Sequence, residues 1–330
     1  MRRMAIGCLV LAALMAFIVT PALSAEVRQY KFGGGTSGGP WFVGVGAAVP
    51  VINQHAQGKF SITYGASAGS VENVRRATTY EYDTGFAHVT TLYEALTATG
   101  SFKGRKVENL RIIAKVMDLT HIWAALKDSS VKSLPDLAGK KVNIGPPGSG
   151  TIVNSMYILD ALGLADKIKK QSLTFAGGAN AMSDRQIDVT TGAGIPFTVP
   201  AITEASMLNP IRYIHTTAAE YQKIRSKYPF YGLIKVPAGT IKGTDEPVDC
   251  VVYSAYWIVN DKVPDDVVYD MLKIIMNKEN NAMLAKVQKN WSDVSGNFED
   301  VAGLGVPLKQ GAAKFWTEQG VKIPQGLKVQ

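Results

Sequence analysis

The sequence has 330 residues, of which 46% are hydrophobic and 19% are charged, which is typical of a globular protein and excludes a disordered chain. Because a single domain usually has about 100–200 residues, this length predicts two domains or two lobes. The formal net charge of +8 is spread along the sequence with no run of five basic residues. This distribution excludes the clustered basic patch of a nucleic-acid-binding protein and favours anionic small ligands.

Residues 1–25 have the three-part layout of a secretory signal peptide. Arg2 and Arg3 precede an uninterrupted apolar run, Met4–Val19, and small residues follow it up to Ala25. The apolar run is shorter than the roughly 20 residues that a membrane-spanning helix needs, so an anchor is the weaker reading. We therefore predict cleavage after Ala25, or one residue earlier, and a mature protein in the periplasm.

The mature chain would keep a single cysteine, Cys250, and could form no internal disulfide. Cys250 lies in the apolar run Val248–Tyr253, which predicts a buried and unreactive thiol.

Short β-rich segments alternate with helical stretches along the rest of the chain, which predicts an α/β fold with mainly parallel strands. The predicted strands are Arg28–Phe32, Phe60–Tyr64, Thr84–Val89, Leu110–Val116, His121–Lys127, Lys141–Ile144, Leu173–Phe175, Ile187–Thr190, Arg212–His215 and Val248–Val259. The predicted helices are Trp41–Ala56, Ser70–Thr79, Thr151–Leu162, Ala179–Arg185, Phe197–Met207, Ala218–Lys227, Asp265–Lys278, Asn280–Lys289 and Gln310–Gln319. Pro50 falls inside the first helix and should kink or shorten it. No Pro/Ser-rich linker separates two halves, so we expect the lobes to share the chain by crossing over.

A recurring unit consists of a strand, a Gly/Ser-rich turn and a helix. The turns are Gly33–Gly39, Gly65–Ser70 and Gly145–Gly150, with a weaker fourth at Gly192–Gly194 before a helix that follows Pro196. In parallel α/β sheets such turns lie at the carboxyl ends of strands, where ligands bind, and each places free backbone N–H groups at a helix N-terminus. The first three turns contain no Asp or Glu, so they predict sites for a carboxylate or a phosphate.

Two of these turns match nucleotide motifs only partly. Gly33–Gly38 fits the G-x-G-x-x-G pattern, but the acidic residue that should follow about 20 positions later, to hold a ribose, is missing. Gly145–Thr151 has the spacing of a P-loop, but Thr151 stands where the phosphate-binding lysine is required. We therefore predict no nucleotide cofactor.

Gly65–Gly69 matches the nucleophile elbow G-x-S-x-G, with Ser67 as the candidate nucleophile of a secreted serine hydrolase. The triad on that fold requires an acid and then a histidine after the serine, and the last histidine of the chain is His215. The hydrolase is the alternative to a binding protein, which would have no catalytic residue.

The four histidines show no metal-ligand spacing, so no metal site is predicted. His88 differs from the others because it ends a strand and precedes Thr90 and Thr91, where a hydrogen bond to a ligand and a satisfied internal histidine are equally compatible. Trp41 and Phe42 follow the first Gly turn directly, which makes one of them a candidate for the pocket wall.

Four segments together resemble one family. Gly35–Gly39, Ala68–Asn73 (AGSVEN), Ser133–Val142 (SLPDLAGKKV) and Gly145–Thr151 (GPPGSGT) are similar to the TRAP-associated extracytoplasmic immunogenic (TAXI) family, and Tyr228–Tyr231 and Ile234–Thr240 fit the same pattern. The resemblance implies a two-lobed periplasmic-binding-protein fold with two chain crossings between the lobes. It also implies delivery of organic acids or acidic amino acids, such as glutamate, to the membrane subunits of a TRAP-type secondary transporter. This sequence has Trp41, Phe42 and His88 where the family often has a Tyr pair and a Gln.

We accordingly predict a monomeric, non-enzymatic solute-binding protein, with residues 26–122 plus 249–330 in lobe one and residues 123–248 in lobe two. Thr36, Ser37 and Ser70 would hold one anionic end of the ligand, and Gly194 and Pro196 would shape the far wall. The complete set of predicted ligand-binding residues is Thr36, Ser37, Trp41, Phe42, Ala68, Gly69, Ser70, His88, Pro147, Ser149, Gly150, Thr151, Gly194 and Pro196.

Overall fold

The computed structural model describes residues 27–37, 39–194, 199–240 and 246–330. The predicted signal peptide and Pro196 lie outside the described residues. The strands within this part are β1 Arg28–Gly33, β2 Phe60–Gly65, β3 Thr84–His88, β4 Leu110–Leu126, β5 Lys141–Asn143, β6 Lys169–Gln171, β7 Val189–Gly194, β8 Ile211–Tyr213, β9 Gly232–Val236 and β10 Val248–Asn260. They form one sheet in the order β2-β1-β3-β10-β4-β7-β5-β6, with β8 beside β4 and β9 beside β10.

The sheet contains two parallel groups joined by two long antiparallel strands. Strands β1, β2 and β3 are mutually parallel on one side, and β5, β6 and β7 are parallel on the other. Strands β4 and β10 pair with each other and run through both groups. One end of β10 pairs with β3 and the other with β9, while the far end of β4 pairs with β7 and β8. The predicted α/β class is confirmed, and the chain passes between the two groups along these two strands.

One long strand replaces two predicted ones. The sequence predicts separate strands at Leu110–Val116 and His121–Lys127, but β4 is continuous over 17 residues. The intervening residues Met117–Thr120 stay extended because each pairs with a residue of β10. The two predicted strands were therefore wrong as separate elements.

The helices within the described residues surround the sheet. They are α1 Pro40–His55, α2 Ser70–Thr78, α3 Val89–Thr97, α4 Gly150–Ala161, α5 Phe175–Ser183, α6 Pro200–Leu208, α7 Ala218–Lys227, α8 Asp265–Ile275, α9 Lys278–Val287, α10 Glu299–Ala302 and α11 Gln310–Glu318. Helix α1 continues past Pro50 to His55, so the prediction that Pro50 shortens it was wrong. Helices α8 and α9 pack on α1, and α11 packs on α8.

The region around Thr174 differs from its prediction. The sequence predicts a strand at Leu173–Phe175, whereas the short strand lies earlier, at β6, and Phe175 begins helix α5. Thr174 is the N-cap of α5, since its side-chain oxygen accepts a hydrogen bond from the backbone N–H of Gly177. Capping by a threonine side chain compensates an otherwise free donor of the first turn and stabilises the helix start.

The single thiol is part of a core. Cys250 on β10 is buried with Ile122, Ala179, Val199 and Val236 in an apolar cluster beneath α5 and α6. Burial raises the pKa of the Cys250 thiol to about 12, so the thiol stays protonated at neutral pH. The prediction of a buried thiol is confirmed. No helix within the described ranges combines the length and apolar character that a bilayer span requires.

Candidate functional site

The predicted Gly-rich turns lie at the carboxyl ends of the parallel strands. Strands β1 and β2 pair in register up to Gly33 and Gly65, so the turns that follow them start side by side. Two backbone hydrogen bonds join these turns, from Gly34 N–H to Gly65 O at 2.8 Å and from Ser67 N–H to Gly35 O at 2.8 Å. The first two turns therefore form one continuous surface at this edge of the sheet.

The turn after β5 meets that surface from the opposite lobe. A Cβ added to Gly148 would lie 2.9 Å from Ala68 Cβ, and one added to Gly69 would lie 3.8 Å from Ser149 Cα. Gly150 is so close to His88 and Ser70 that a Cβ on it would overlap the imidazole. These distances place the turns of the two lobes against each other across the cleft, with no space for a side chain at Gly148 or Gly150.

The cleft encloses a cavity of about 660 Å³. Eleven of the predicted ligand-binding residues line it: Thr36, Ser37, Trp41, Ala68, Gly69, Ser70, His88, Ser149, Gly150, Thr151 and Gly194. Phe42 and Pro147 do not. Phe42 packs on Tyr64, with 5.2 Å between the ring centroids, and Pro147 is exposed at the surface of its turn. Both placements differ from the prediction, because Phe42 lies in helix α1, where it and the adjacent Trp41 point in different directions, and Pro147 is on the exposed side of its turn.

Five helices begin at this cavity. The first residues of α1, α2, α4, α5 and α6 all contribute to the lining, and those residues are Pro40, Ser70, Gly150, Phe175 and Pro200. Of these five, only α5 has a side-chain cap. The first N–H groups of a helix have no partner within the helix, and the helix dipole places partial positive charge there.

The charge of the lining has one sign. Within the part of the chain that the structure describes, the lining includes no Asp or Glu, and its one ionised side chain is the exposed Lys289. Free N–H groups, helix dipoles and a lysine all favour an anion. The arrangement can therefore hold a negatively charged group with donors supplied mainly by the main chain.

His88 lines the cavity where the turns of the two lobes meet, and it is only 4% exposed. Its backbone N–H donates to Ser70 Oγ at 2.8 Å, and its Nδ1 lies 3.2 Å from Asn154 Nδ2 of α4. Burial lowers the pKa of His88 to about 4, because the charged form would lose its hydration. At neutral pH His88 is thus a neutral hydrogen-bonding group and adds no positive charge.

His121, the other buried histidine, has different neighbours from His88. His121 Nε2 lies 3.0 Å from Thr191 Oγ1 and 3.2 Å from Ser155 Oγ, and the ring does not line the cavity. Burial, with a smaller contribution from His88, lowers the pKa of His121 to about 3. His121 therefore belongs to the interior of the fold.

Ser67 is engaged in the backbone of the turns. Its Oγ accepts hydrogen bonds from Gly35 N–H at 3.0 Å and from Gly69 N–H at 3.2 Å. Among the described residues, no histidine or carboxylate forms a hydrogen bond with this hydroxyl. A nucleophilic serine needs an adjacent general base, so the hydrolase alternative has no support in this geometry.

The cavity also contains residues that the sequence analysis missed. They are Leu119, Thr174, Phe175, Ala176, Ala193, Val199, Pro200, Ala201, Gln288, Lys289 and Asn290, together with Gly35, Gly39 and Pro40 beside predicted positions. Asn290 is 3% exposed, and its Oδ1 has no hydrogen-bond partner among the described residues. A local signal was available for Thr174 and Phe175, because Gly177 and Gly178 follow them as glycines follow the other turns. The segment Gln288–Asn290 carries no such signal. The described part of the chain contains no group of three His, Cys, Asp or Glu placed to hold a metal ion.

Solved structures with a similar fold include two solute-binding proteins. The alkanesulfonate-binding protein SsuA of Xanthomonas axonopodis pv. citri, bound to MOPS, matches with a TM-score of 0.50 and 13% identity, over 93% of this chain and 99% of its own. An ancestral arginine-binding protein bound to arginine matches with a TM-score of 0.50 and 12% identity, over 81% of this chain and 99% of its own. A protein of Bordetella bronchiseptica RB50 matches with a TM-score of 0.50 and 15% identity, over 81% of this chain and 77% of its own.

These matches confirm the predicted periplasmic-binding-protein fold, and at such identities they show the fold alone. Sequence comparison shows which family the chain belongs to. The sequence model of the NMT1-like family matches residues 32–320. That range covers most of the sequence, and the chain therefore belongs to the NMT1-like family.

Proposed function

We propose that this protein is an extracytoplasmic solute-binding protein that captures a small organic anion between its lobes and delivers it to a membrane transporter. The observation that carries the proposal is the interlobe cavity, at which five helices begin and whose described lining residues include no carboxylate. An anion in this cavity would face the free N–H groups of helices from both lobes. The same lining would repel a cation.

Closure is the step that links binding to delivery. The turn before α2 belongs to the first parallel group and the turn before α4 to the second, and the two turns meet at Gly69 and Ser149. A ligand that contacts both turns binds the closed state more tightly than the open one and so shifts the population toward closure. A transporter that recognises the closed form would then select the loaded protein.

The membrane partner is proposed from the sequence resemblance. Ala68–Asn73 and Gly145–Thr151 are similar to TAXI proteins, and both segments border the cavity. We therefore propose the membrane subunits of a TRAP-type secondary transporter as the partner. Uptake by vesicles that contain these subunits should need this protein and an ion gradient; uptake driven by ATP without a gradient would contradict this assignment.

The binding proposal is tested by thermal unfolding of the mature protein with small solutes. The panel contains carboxylates, sulfonates, phosphonates and, as the opposite charge, alkylamines and arginine. A ligand that binds only the folded state adds about 2.7 kcal/mol to the free energy of unfolding when its concentration is 100 times its Kd. We expect higher melting temperatures with anions only, and stabilisation by cations alone would refute the proposal.

Export and oligomeric state are separate parts of the proposal. The intact mass of the protein from a bacterial periplasm should correspond to a chain that begins at Glu26, and a retained residue 1–25 segment would refute cleavage. Size-exclusion chromatography with light scattering should give the mass of a monomer. The lobe boundaries near residues 122 and 249 also remain proposals.

A further inference from the structure

The large side chains around the cavity are mostly apolar and are held in place. Trp41, Leu119, Phe175 and Val199 all line it. The Trp41 ring is fixed by edge contacts with Phe86, at 5.6 Å between centroids, and with His88, at 5.1 Å. A volume of about 660 Å³ falls within the range of roughly 300–1,000 Å³ that is typical of pockets for drug-sized ligands. The cavity therefore has room and apolar surface for a ring or a branched hydrocarbon body.

Among the described residues, the lining offers no carboxylate to pair with a positively charged group of a ligand, and its buried acceptor without a partner is the neutral Asn290 Oδ1. The acidic side chain in the first turn of α2 is Glu72, and it is outside the lining. Glu72 Oε2 accepts from Ala68 N–H at 2.6 Å, and Glu72 Oε1 pairs with Arg76 at 2.6 Å. A buried ammonium without a carboxylate partner costs several kcal/mol, and the surrounding helix N-termini add repulsion.

The neutral residues near the turns do not change the preference of the cavity for an anion over a cation. His88 is buried beside Asn154 and carries no charge at neutral pH, so it neither attracts a second carboxylate nor repels an ammonium. Lys289 is the one ionised side chain among the described lining residues, and it is exposed. A second carboxylate of a dicarboxylic ligand would thus have one exposed lysine as its cationic partner.

Resting on the function proposed above, we infer that the cavity selects organic anions that have an apolar ring or branched body and no ammonium group, and that it rejects α-amino acids, including glutamate. The negative group lies at the helix N-termini, and the apolar body packs between Trp41 and Phe175. The ligand class is then a monocarboxylate rather than an acidic amino acid.

The test uses two pairs of probes that differ only by an α-ammonium group. Titration calorimetry of the mature protein compares 3-phenylpropionate with phenylalanine, and glutarate with glutamate. Burial of an unpaired ammonium predicts that phenylalanine binds about 100-fold more weakly than 3-phenylpropionate, or not at all. Because the apolar body contributes affinity, 3-phenylpropionate should also bind more tightly than glutarate.

The outcomes separate this inference from the proposed function. If phenylalanine or glutamate binds within threefold of its deaminated counterpart, the inference is wrong, while anion capture in the cavity still holds. If none of the four probes binds, the inference is wrong, and the thermal-unfolding panel with the other anions decides the proposed function separately. Discrimination against both amino acids supports the inference.

A matched pair of aromatic substitutions tests the apolar contact. Phe175→Ala removes a ring that lines the cavity, and Phe42→Ala removes one that packs on Tyr64 outside the lining. We expect Phe175→Ala to weaken 3-phenylpropionate about tenfold and Phe42→Ala to change its affinity less than threefold. Equal losses in the two variants, with unchanged circular dichroism, would contradict the placement of the apolar body.

Discussion

The turns Gly65–Ser70 and Gly145–Thr151 have the same plan, but they use their hydroxyl groups differently. In the first turn, Ser67 accepts two backbone N–H groups, while Ser70 Oγ donates to Thr91 Oγ1 at 2.7 Å and accepts from His88 N–H. In the second turn, Ser149 Oγ donates one hydrogen bond, to Pro146 O at 2.6 Å.

The difference shows which groups remain for a ligand. The serines of the first turn are occupied by contacts that fix the turn, although their residue type suggests anion donors. What both turns still present is main-chain N–H at the start of α2 and α4, where no side chain caps the helix. Removing a hydroxyl should therefore affect stability more than affinity, whereas changing the charge or shape of the backbone surface should affect affinity most.

The largest effect is expected from a negative charge in the second turn. Ser149→Asp places a carboxylate beside the first N–H groups of α4, where it would occupy the anion position and repel the ligand. We expect no measurable binding of 3-phenylpropionate by calorimetry. Ser149→Asn has nearly the same shape without the charge and should lose tenfold or less. Binding by Ser149→Asp within tenfold of the unmodified protein would exclude this turn from the site.

Closing the space between the two turns should have the next largest effect. A Cβ at Gly150 would overlap His88 Nδ1 and lie 2.7 Å from Ser70 Cβ, so Gly150→Ala should hold the lobes apart. Because apparent affinity falls with the population of the closed state, we expect affinity to fall about 100-fold or more. Small-angle scattering with ligand should show a larger radius of gyration. Gly303→Ala, at a glycine with no neighbour within 4 Å and φ of −84°, is the control.

Acid should weaken the fold through the histidine beneath the turns. The pKa of His88 is lowered from 6.5 to about 4, so between these pH values the unfolded chain binds a proton that the folded protein does not. The stabilisation is fully present above pH 6.5 and is lost as the pH falls toward 4. His88 should contribute a slope of roughly 1 kcal/mol per pH unit between pH 6 and 5. Urea unfolding of His88→Gln at these pH values should show that reduction in slope, and an unchanged slope would contradict it.

The smallest effects concern single hydroxyls. Ser67→Ala leaves the N–H groups of Gly35 and Gly69 without their partner and should lower the free energy of unfolding by about 1–3 kcal/mol. Ser149→Ala removes one of two donors from Pro146 O, which keeps the hydrogen bond from Ser149 N–H at 3.2 Å, and should cost about 1 kcal/mol or less. Denaturant titration measures both. We expect no esterase activity in the unmodified protein or in either variant. Labelling of Ser67 by a fluorophosphonate would favour the hydrolase.

The sequence predicted those parts of the site that arise from local patterns. Glycine and serine clusters after apolar strands indicated the turns at Gly65–Ser70 and Gly145–Gly150, because backbone geometry there depends on adjacent residues. The segment Gln288–Asn290 was missed, since it reaches the cavity only after the chain has passed through the second parallel group and returned along β10. The hydrogen bonds of Ser70 to Thr91 and His88 were equally hidden, because their partners are on other elements.

The prediction of secondary structure also failed where an element depends on residues that are distant in the sequence. The break predicted between Val116 and His121 disappears because Met117–Thr120 pairs with β10, more than 130 positions later in the sequence. The strand β9 was missed for a related reason, since it is defined by its pairing with β10 at residues 248–252. Local preferences were correct for α2 and α8, whose starts carry Glu72 and the pair Asp265 and Asp266 in the first turn.

The pairing of β4 with β10 has a mechanical consequence. From Leu110 opposite Asn260 to Thr120 opposite Val252, the two strands form a ribbon that carries every covalent path between the two sheet groups within the described residues. A two-stranded ribbon bends readily out of its plane, but sideways shear would break its ladder of hydrogen bonds. The lobes should therefore move mainly by bending of this ribbon and resist sliding past one another, which brings the N-terminus of α2 back to that of α4 in each cycle.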